Sequence, residues 1–311
     1  MKHFFLTFIL MSFLTLSSGA TESPRSVRNF NKGWTFNLGD VPNASSPDFN
    51  DTKWRQLDLP HDWAIEGEFS KDNYSGTGGG ALPGGIGWYR KTFKTDASQK
   101  GKKVFIDFDG VYMNAEVWIN GTSLGIRPYG YISFRYDLTP YLKYGETNVL
   151  AVRVDNSEQP NSRWYSGCGI YRNVWLTTAN PVYIGLWGTY VTTPKVSKKE
   201  ALINVATTIK NDSKANKSIE LQSVIIDHTG KKVAGTKSNV QLASGDSKEV
   251  FQEIRFSDPL LWSLENSYMY KVVSKVIVNG TLIDEYTTPL GVRSFSFDVN
   301  KGFILNGIPT K

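Results

Sequence analysis

Short runs of alternating apolar and polar residues recur along most of the chain and predict β-strands. The inward positions of three such runs are Val104, Ile106 and Phe108, then Ala115, Val117 and Ile119, then Leu150, Val152 and Val154, with Ala151, Arg153 and Asp155 outward in the third. Asn120-Gly121 follows the second run and provides the two residues with positive φ that a tight hairpin requires. Short strands separated by frequent turn signals predict a sandwich or barrel over residues 21–180.

The period-2 pattern continues after residue 180. Ile203, Val205, Thr207 and Ile209 share one face, and Tyr268–Val278 is a long alternating run that Asn279-Gly280 turns into Thr281–Tyr286. About seven strands over residues 181–296 predict an immunoglobulin-like sandwich without the antibody cysteine pair. Residues 297–311 form a stub in which Asn306-Gly307 predicts a small hairpin. No helical pattern of any length occurs, so the predicted fold class is all-β.

The first twenty residues have a different pattern. Lys2 precedes an apolar run that closes with Ser-Gly-Ala, which predicts a secretory signal peptide cleaved after Ala20. No cysteine follows for a lipid anchor, and no other stretch is long and apolar enough to span a bilayer. The mature protein is therefore expected to be secreted or periplasmic and soluble, with no membrane partner.

Length, charge and residue spacing exclude several classes of function. The 311 residues suggest about two domains. The net charge of +6 is spread without a basic stripe, so nucleic acid is not an expected partner. The three histidines have no metal-ligand spacing, and no cofactor or metal is predicted. The single cysteine, Cys168, lies between two glycines and is interpreted as a packed small residue rather than a nucleophile.

The most informative stretch is Asn161–Trp175, with the sequence N-S-R-W-Y-S-G-C-G-I-Y-R-N-V-W. Arg163, Trp164 and Tyr165 place a cation beside two rings, a combination suited to stacking on a sugar and to hydrogen-bonding its hydroxyls. The alternation over Ile170–Leu176 predicts a half-buried strand. The alternative interpretation is an aromatic-rich corner of a sandwich that binds no ligand.

The order of residues in this stretch resembles the signature of the sugar-binding domain of glycoside hydrolase family 2, which includes β-galactosidases, β-glucuronidases and β-mannosidases. Further segments match in the family's order. They are Pro60–Trp63, Gly87–Phe93, Phe108–Gly121, Leu261–Tyr270, Gly291–Phe295 and Gly302–Pro309. The resemblance extends from about Asn29 to the last residue, and so many ordered matches make a chance similarity improbable.

The resemblance implies a jelly roll, then an immunoglobulin-like spacer, then entry into a (β/α)8 barrel that carries two catalytic glutamates. Retaining hydrolysis needs two carboxylates about 5 Å apart. Neither glutamate position exists in this chain, so we expect a portion truncated before the barrel and assign no catalytic residue. Glu66 and Glu68 are interpreted as an exposed loop pair, and Asp109 as a residue that serves turn geometry.

The resemblance also implies substrate contacts. Relatives have a sugar-contacting aspartate where this chain has Arg163, which leaves the preferred sugar open because arginine suits a hydroxyl or a carboxylate. Arg163 could instead pair with a local acid. Asn161, Trp164 and Tyr165 are further candidates, although Trp164 could belong to the core. In the glycine-rich segment over residues 75–87, Gly84 occupies the position of a sugar-contacting asparagine, which puts a direct side-chain contact there in doubt.

The expected function is the N-terminal portion of an exported β-glycosidase, most like the β-galactosidases. Its partners would be a carbohydrate substrate and the missing catalytic barrel. A stand-alone carbohydrate-binding module and a structural β-sandwich adhesin are the alternatives. The sugar, the linkage and a possible homo-oligomer stay open.

Overall fold

The computed structural model describes residues 24–310 apart from 74, 159 and 160, so the signal-peptide prediction lies outside the described residues. The described part consists of strands and loops. Its helical segments are single 3₁₀ turns at Ala64–Glu66, Thr77–Gly79, Ala97–Gln99 and Thr139–Tyr141. The all-β prediction is confirmed. Among these residues no helix is long and apolar enough to cross a membrane.

Ten strands form a first sandwich. They are β1 (Ser26–Asn29), β2 (Trp34–Leu38), β3 (Arg55–Leu57), β4 (Gly85–Lys94), β5 (Lys103–Phe108), β6 (Ala115–Ile119), β7 (Thr122–Arg127), β8 (Phe134–Asp137), β9 (Thr147–Asn156) and β10 (Val174–Ala179). One sheet has the order β1-β10-β5-β8 and the other β3-β2-β4-β9-β6-β7. Neighbouring strands pair antiparallel throughout.

The inward faces of the two sheets enclose one apolar core. Val104, Ile106 and Phe108 of β5 face Val117 of β6 and Val152 of β9, and all five are fully buried. Asn120 and Gly121 have φ of +50° and +82°, as the predicted hairpin requires. The alternating pattern thus fixed which face of each strand turns inward, because a one-residue slip would expose the whole apolar set.

Seven strands form a second sandwich. They are β11 (Val182–Val196), β12 (Glu200–Asn211), β13 (Lys217–Ile226), β14 (Lys232–Leu242), β15 (Ser247–Ser257), β16 (Tyr270–Val278) and β17 (Thr281–Leu290). Their sheet orders are β11-β12-β15 and β14-β13-β16-β17, with antiparallel pairing. Two sheets of three and four antiparallel strands are the arrangement of an immunoglobulin-like sandwich.

A buried ion pair joins the two sandwiches. Arg25, directly before β1, donates from Nε and Nη2 to the two carboxylate oxygens of Asp284 on β17, at 2.9 and 2.7 Å. Asp284 also accepts the backbone N–H of Ile184 at 2.7 Å, and the two side chains are 5% and 0% exposed. Nearby, the rings of Phe105 and Tyr183 pack with centroids 5.4 Å apart across the junction.

The last strands form a small separate sheet. β18 (Phe295–Asp298), β19 (Gly302–Leu305) and β20 (Ile308–Pro309) pair in that order, and Asn306-Gly307 turns the chain as predicted. Phe295, Phe297 and Ile308 are 64%, 78% and 68% exposed. This sheet therefore presents an apolar face that no other described residue covers.

One predicted strand boundary is wrong. Residues 170–173 do not form a strand, because Ile170 O accepts from His61 N and Asn173 O from Asp109 N, two different segments. Ala151 points outward as predicted, yet it is 1% exposed because the rings of Trp88 and Trp118 pack with it. The last three residues of the glycine-rich segment begin β4.

Candidate functional site

The loop over residues 161–169 lies at one end of the first sandwich, between two other segments. Gly169 forms both backbone hydrogen bonds with Tyr112, at 2.9 Å each, while Cys168 O accepts from Trp63 N at 3.2 Å. Gly167 and Gly169 have φ of +81° and +114°, a region that glycine adopts readily, and they let the backbone turn sharply around Cys168. A Cβ on Gly169 would lie 2.3 Å from the hydroxyl of Tyr89, so only glycine fits there.

The carboxylate of Asp62 organises this loop. Its Oδ1 accepts the backbone N–H groups of Cys168 at 2.9 Å and of Ala64 at 3.0 Å, and its Oδ2 accepts the hydroxyl of Tyr165. Burial, and then this hydrogen bond to a carboxylate, raises the pKa of Tyr165 well above its usual range. The phenol is therefore a fixed donor that anchors the loop.

Gly84 and Cys168 are both buried and form hydrogen bonds within the protein. The buried Gly84 accepts the indole N–H of Trp63 through its carbonyl oxygen, at 3.1 Å. Cys168 is 2% exposed, and burial raises the pKa of its thiol to about 12 although Asn156 donates a hydrogen bond to the sulfur. The thiol is therefore protonated at neutral pH, as expected for a packed residue rather than a nucleophile.

Arg163 and Trp164 extend outward from the anchored loop. The indole of Trp164 is 71% exposed, so this residue does not belong to the core. Arg163 is exposed, and none of the described residues forms an ion pair or hydrogen bond with its guanidinium. The alternative in which Arg163 pairs with a local acid thus finds no such acid in the described part of the chain.

Asn161 lies at the beginning of the loop, where it contacts the neighbouring segments. Its Nδ2 donates to Oδ1 of Asn156 at 2.6 Å and lies 3.3 Å from the sulfur of Met113, while Ser166 donates to its Oδ1. These contacts fix the beginning of the loop that carries Asn161, Arg163, Trp164 and Tyr165. Their role toward a sugar stays a prediction.

A second polar group lies behind the loop. Nδ1 of His61 is 2.7 Å from the hydroxyl of Tyr89, and Glu66 binds Arg55 with both oxygens, at 2.5 and 2.8 Å. Glu66 Oε2 is 3.4 Å from His61 Nε2 without hydrogen-bonding geometry, which leaves that buried nitrogen without a hydrogen-bond partner among the described residues. Burial lowers the pKa of His61, and the hydrogen bond from Arg55 lowers the pKa of Glu66.

Three carboxylates of the first sandwich, those of Glu66, Asp107 and Asp109, have partners within the described chain. Glu68 is exposed, as predicted, and Glu66 is held by Arg55. Asp109, interpreted as a residue that serves turn geometry, accepts the indole N–H of Trp175 through its Oδ2 at 2.9 Å. Asp107 pairs with Arg135. In the part of the chain that the structure describes, no group of three His, Cys, Asp or Glu side chains could hold a metal ion.

The loop does not itself enclose a sugar site. The cavity beside Tyr165, Gly167 and Cys168 has a volume of ≈ 10 Å³, enough for about one water molecule. Any sugar at Arg163 and Trp164 would therefore lie on an open surface that needs a second wall.

Sequence reasoning missed Asp62, the residue that holds the loop. The sequence contained a pointer to Asp62, because this residue lies in Pro60–Trp63, one of the segments that match the family. Its partner Cys168 is 106 residues away, and no periodicity connects the two positions.

Comparison with known proteins identifies the family. The description "Glycosyl hydrolases family 2, sugar binding domain" matches residues 81–180, and "Glycosyl hydrolases family 2" matches residues 182–293. The chain belongs to glycoside hydrolase family 2. The resemblance inferred from the motifs is thereby confirmed, and the loop described above falls within the match to the sugar-binding domain.

Relatives within family 2 extend over almost the whole chain. The β-galactosidase BoGH2A of Bacteroides ovatus is 57% identical over 295 residues, which cover 95% of this chain and 35% of that protein. A putative β-glucuronidase of Formosa agariphila is 42% identical over 292 residues, with 92% and 27% covered. The solved structure of a family 2 member from Bacteroides cellulosilyticus has a TM-score of 0.88 at 37% identity, with 92% and 37% covered. The chain spans about a third of the length of these relatives.

Proposed function

We propose that this family 2 chain forms the substrate-side portion of an exported β-glycosidase, most like a β-galactosidase, that hydrolyses O-glycosyl bonds with retention. The observation that carries the proposal is the loop that Asp62 anchors. It holds Arg163 and Trp164 exposed, and the described residues offer the guanidinium no partner. An exposed cation beside an exposed ring is suited to bind a sugar hydroxyl and a sugar face.

The catalytic carboxylates are proposed to lie on a (β/α)8 barrel outside residues 24–310. Two features support this. The carboxylates of Glu66 and Asp107 are engaged by arginines, and the small cavity at the loop leaves a sugar without a second wall. The apolar face of the β18–β20 sheet is proposed to cover the floor of that barrel. By itself, the chain is then expected to bind no complete substrate and to have no hydrolase activity.

A chimera tests the proposal. Residues 21–311 would replace the matching N-terminal third of the Bacteroides ovatus β-galactosidase, and turnover of nitrophenyl β-galactoside would be measured for the chimera and for this chain alone. We expect turnover by the chimera and none by the chain, with nitrophenyl β-glucuronide as the comparison substrate. Activity of the purified chain that disappears when one of its own carboxylates is mutated would contradict the proposal. A folded but inactive chimera would contradict the assignment of substrate contacts.

We propose further that the protein is exported. The support is the cation, apolar run and Ser-Gly-Ala ending of the first twenty residues. Intact mass of protein recovered from the periplasm or the medium should begin at Thr21. Recovery only of chain that retains Met1, and only from the cytoplasm, would refute export.

A further inference from the structure

A groove lies at the seam between the two sandwiches, and its lining shares no residue with the loop at residues 161–169. Its floor is the outer face of the β1-β10-β5-β8 sheet, where Asp109 and Trp175 lie, and its wall is a bulge in β11 that carries Leu186 and Trp187. The volume is ≈ 240 Å³. Pockets for drug-sized ligands start at about 300 Å³, so this groove suits a single ring.

The bulge presents an indole to the groove. The pairing of β11 with β12 shifts register between Ile184 and Thr189, and the chain folds so tightly that a Cβ on Gly188 would lie 2.7 Å from the carbonyl oxygen of Gly185. Trp187 has φ of +50° and is 65% exposed. A bulky residue in this region of φ is strained, and an exposed indole gains little by burial. Neither feature helps the fold, which points to a role in binding.

The polar groups of the groove leave one charge uncompensated. Arg25 pairs with Asp284, and Arg135 pairs with Asp107. The carboxylate of Asp109 accepts the indole N–H of Trp175 at 2.9 Å, and no cation among the described residues forms an ion pair with it. A carboxylate has about four lone-pair directions, so this single hydrogen bond leaves most of the acceptor capacity of Asp109, a lining residue of the groove, available. The groove therefore favours a neutral ligand with hydroxyl donors and disfavours an anion.

We infer that this groove binds one pyranose ring of a neutral glycan, with the indole of Trp187 against the C–H face of the sugar and Asp109 accepting its hydroxyls. The inference does not depend on the catalytic barrel, since every residue used lies in the described chain. A hexose unit of about twelve non-hydrogen atoms in an open groove is expected to bind with Kd on the order of 1 mM. Such a site would hold a neighbouring stretch of polysaccharide near the enzyme.

NMR titration of the whole chain tests the inference. Methyl β-D-galactopyranoside and methyl β-D-glucuronide would be titrated while the indole N–H signals of Trp187 and Trp175 are followed. We expect a saturable shift of both signals with the neutral sugar and about tenfold weaker binding of the acidic one. Asp109→Asn should raise the Kd for the neutral sugar several-fold and reduce the difference in Kd between the neutral and the acidic sugar. The reason is that the substitution removes the negative charge but keeps an acceptor for the indole N–H of Trp175.

Two variants separate binding from folding. Trp187→Gly should abolish the shift of Trp175 while Tm stays equal or rises, because glycine relieves the strain at φ +50°. Phe251→Ala, which removes a comparably exposed ring outside both proposed sugar sites, should leave the titration unchanged. Absence of a saturable shift up to about 50 mM sugar overturns the inference. So does a Trp187→Gly variant that still binds, or one that loses stability while the wild-type Trp187 signal does not respond to sugar.

Discussion

The anchoring role of Asp62 makes a quantitative prediction about the loop at residues 161–169. Asp62→Asn keeps an oxygen for the N–H groups of Cys168 and Ala64 but removes the charge that Tyr165 binds. A hydrogen bond to a charged group contributes about 1.5–3 kcal/mol. If opening of the loop is fast and reversible, that loss raises the open population by about 10- to 150-fold. Tyr165→Phe removes the same bond and should have a similar effect.

Trypsin provides the assay, because Arg163 lies within the loop and is exposed. The rate of cleavage after Arg163, followed by mass spectrometry at native pH, should rise by this factor in Asp62→Asn. The double variant with Tyr165→Phe should cleave no faster than either single variant, since both remove one bond. Asp72→Asn, at an exposed aspartate, is the matched control. Equal cleavage rates for wild type and Asp62→Asn, with the fold intact, would refute the anchoring argument.

Three further predictions concern other residues. In the chimera, Arg163→Ala should lower kcat/KM about tenfold or more and change the free energy of unfolding by less than about 0.5 kcal/mol. Arg172→Ala, the control, should leave both quantities unchanged. Loss of stability with unchanged kcat/KM in Arg163→Ala would make Arg163 structural. Burial holds the pKa of His61 below 6.5, so the folded state resists protonation. Stability should therefore be complete above pH 6.5 and fall on acidification, by up to about 1.4 kcal/mol per pH unit until the folded-state pKa is reached. Urea unfolding at several pH values should show that the slope of the free energy of unfolding against pH is smaller in His61→Gln and unchanged in His228→Gln. An unchanged slope in His61→Gln would contradict the role assigned to His61. Phe297→Ser should reduce light scattering by the chain more than Phe251→Ser, an equally exposed position outside the terminal sheet, and equal effects would argue against an apolar interface there.

The strands and their turns could be predicted because their determinants are local. Period-2 alternation placed Val104 and Val152 inward, and Asn-Gly pairs such as Asn279-Gly280 adopt the positive φ that their hairpins need. Where the prediction failed, the cause was a contact between distant segments. Ile170 alternates like a strand residue, but its carbonyl oxygen bonds to His61, and no local pattern reports such a partner.

The candidate site could be predicted only in part, for the same reason. The cation and rings of Arg163, Trp164 and Tyr165 are visible in the sequence, and the family resemblance gave them a role. The support beneath them was not visible, since Asp62 reaches Tyr165 across 103 residues. The strained Trp187 was missed because a bulge depends on the register between β11 and β12, which alternation alone does not specify.

The ion pair between Arg25 and Asp284 has a consequence for synthesis of the chain. The two residues are 259 positions apart, so at about 5–20 residues per second the arginine is synthesised roughly 13–50 s before its partner. The tenth strand of the first sandwich ends at residue 179, so all ten strands have been synthesised in the last part of that interval, while the second sandwich, whose Tyr183 packs on Phe105, is still incomplete. A nascent chain that stalls before β17 therefore displays an unpaired arginine beside an uncovered ring. The two sandwiches can therefore form this ion pair only after translation has passed residue 284.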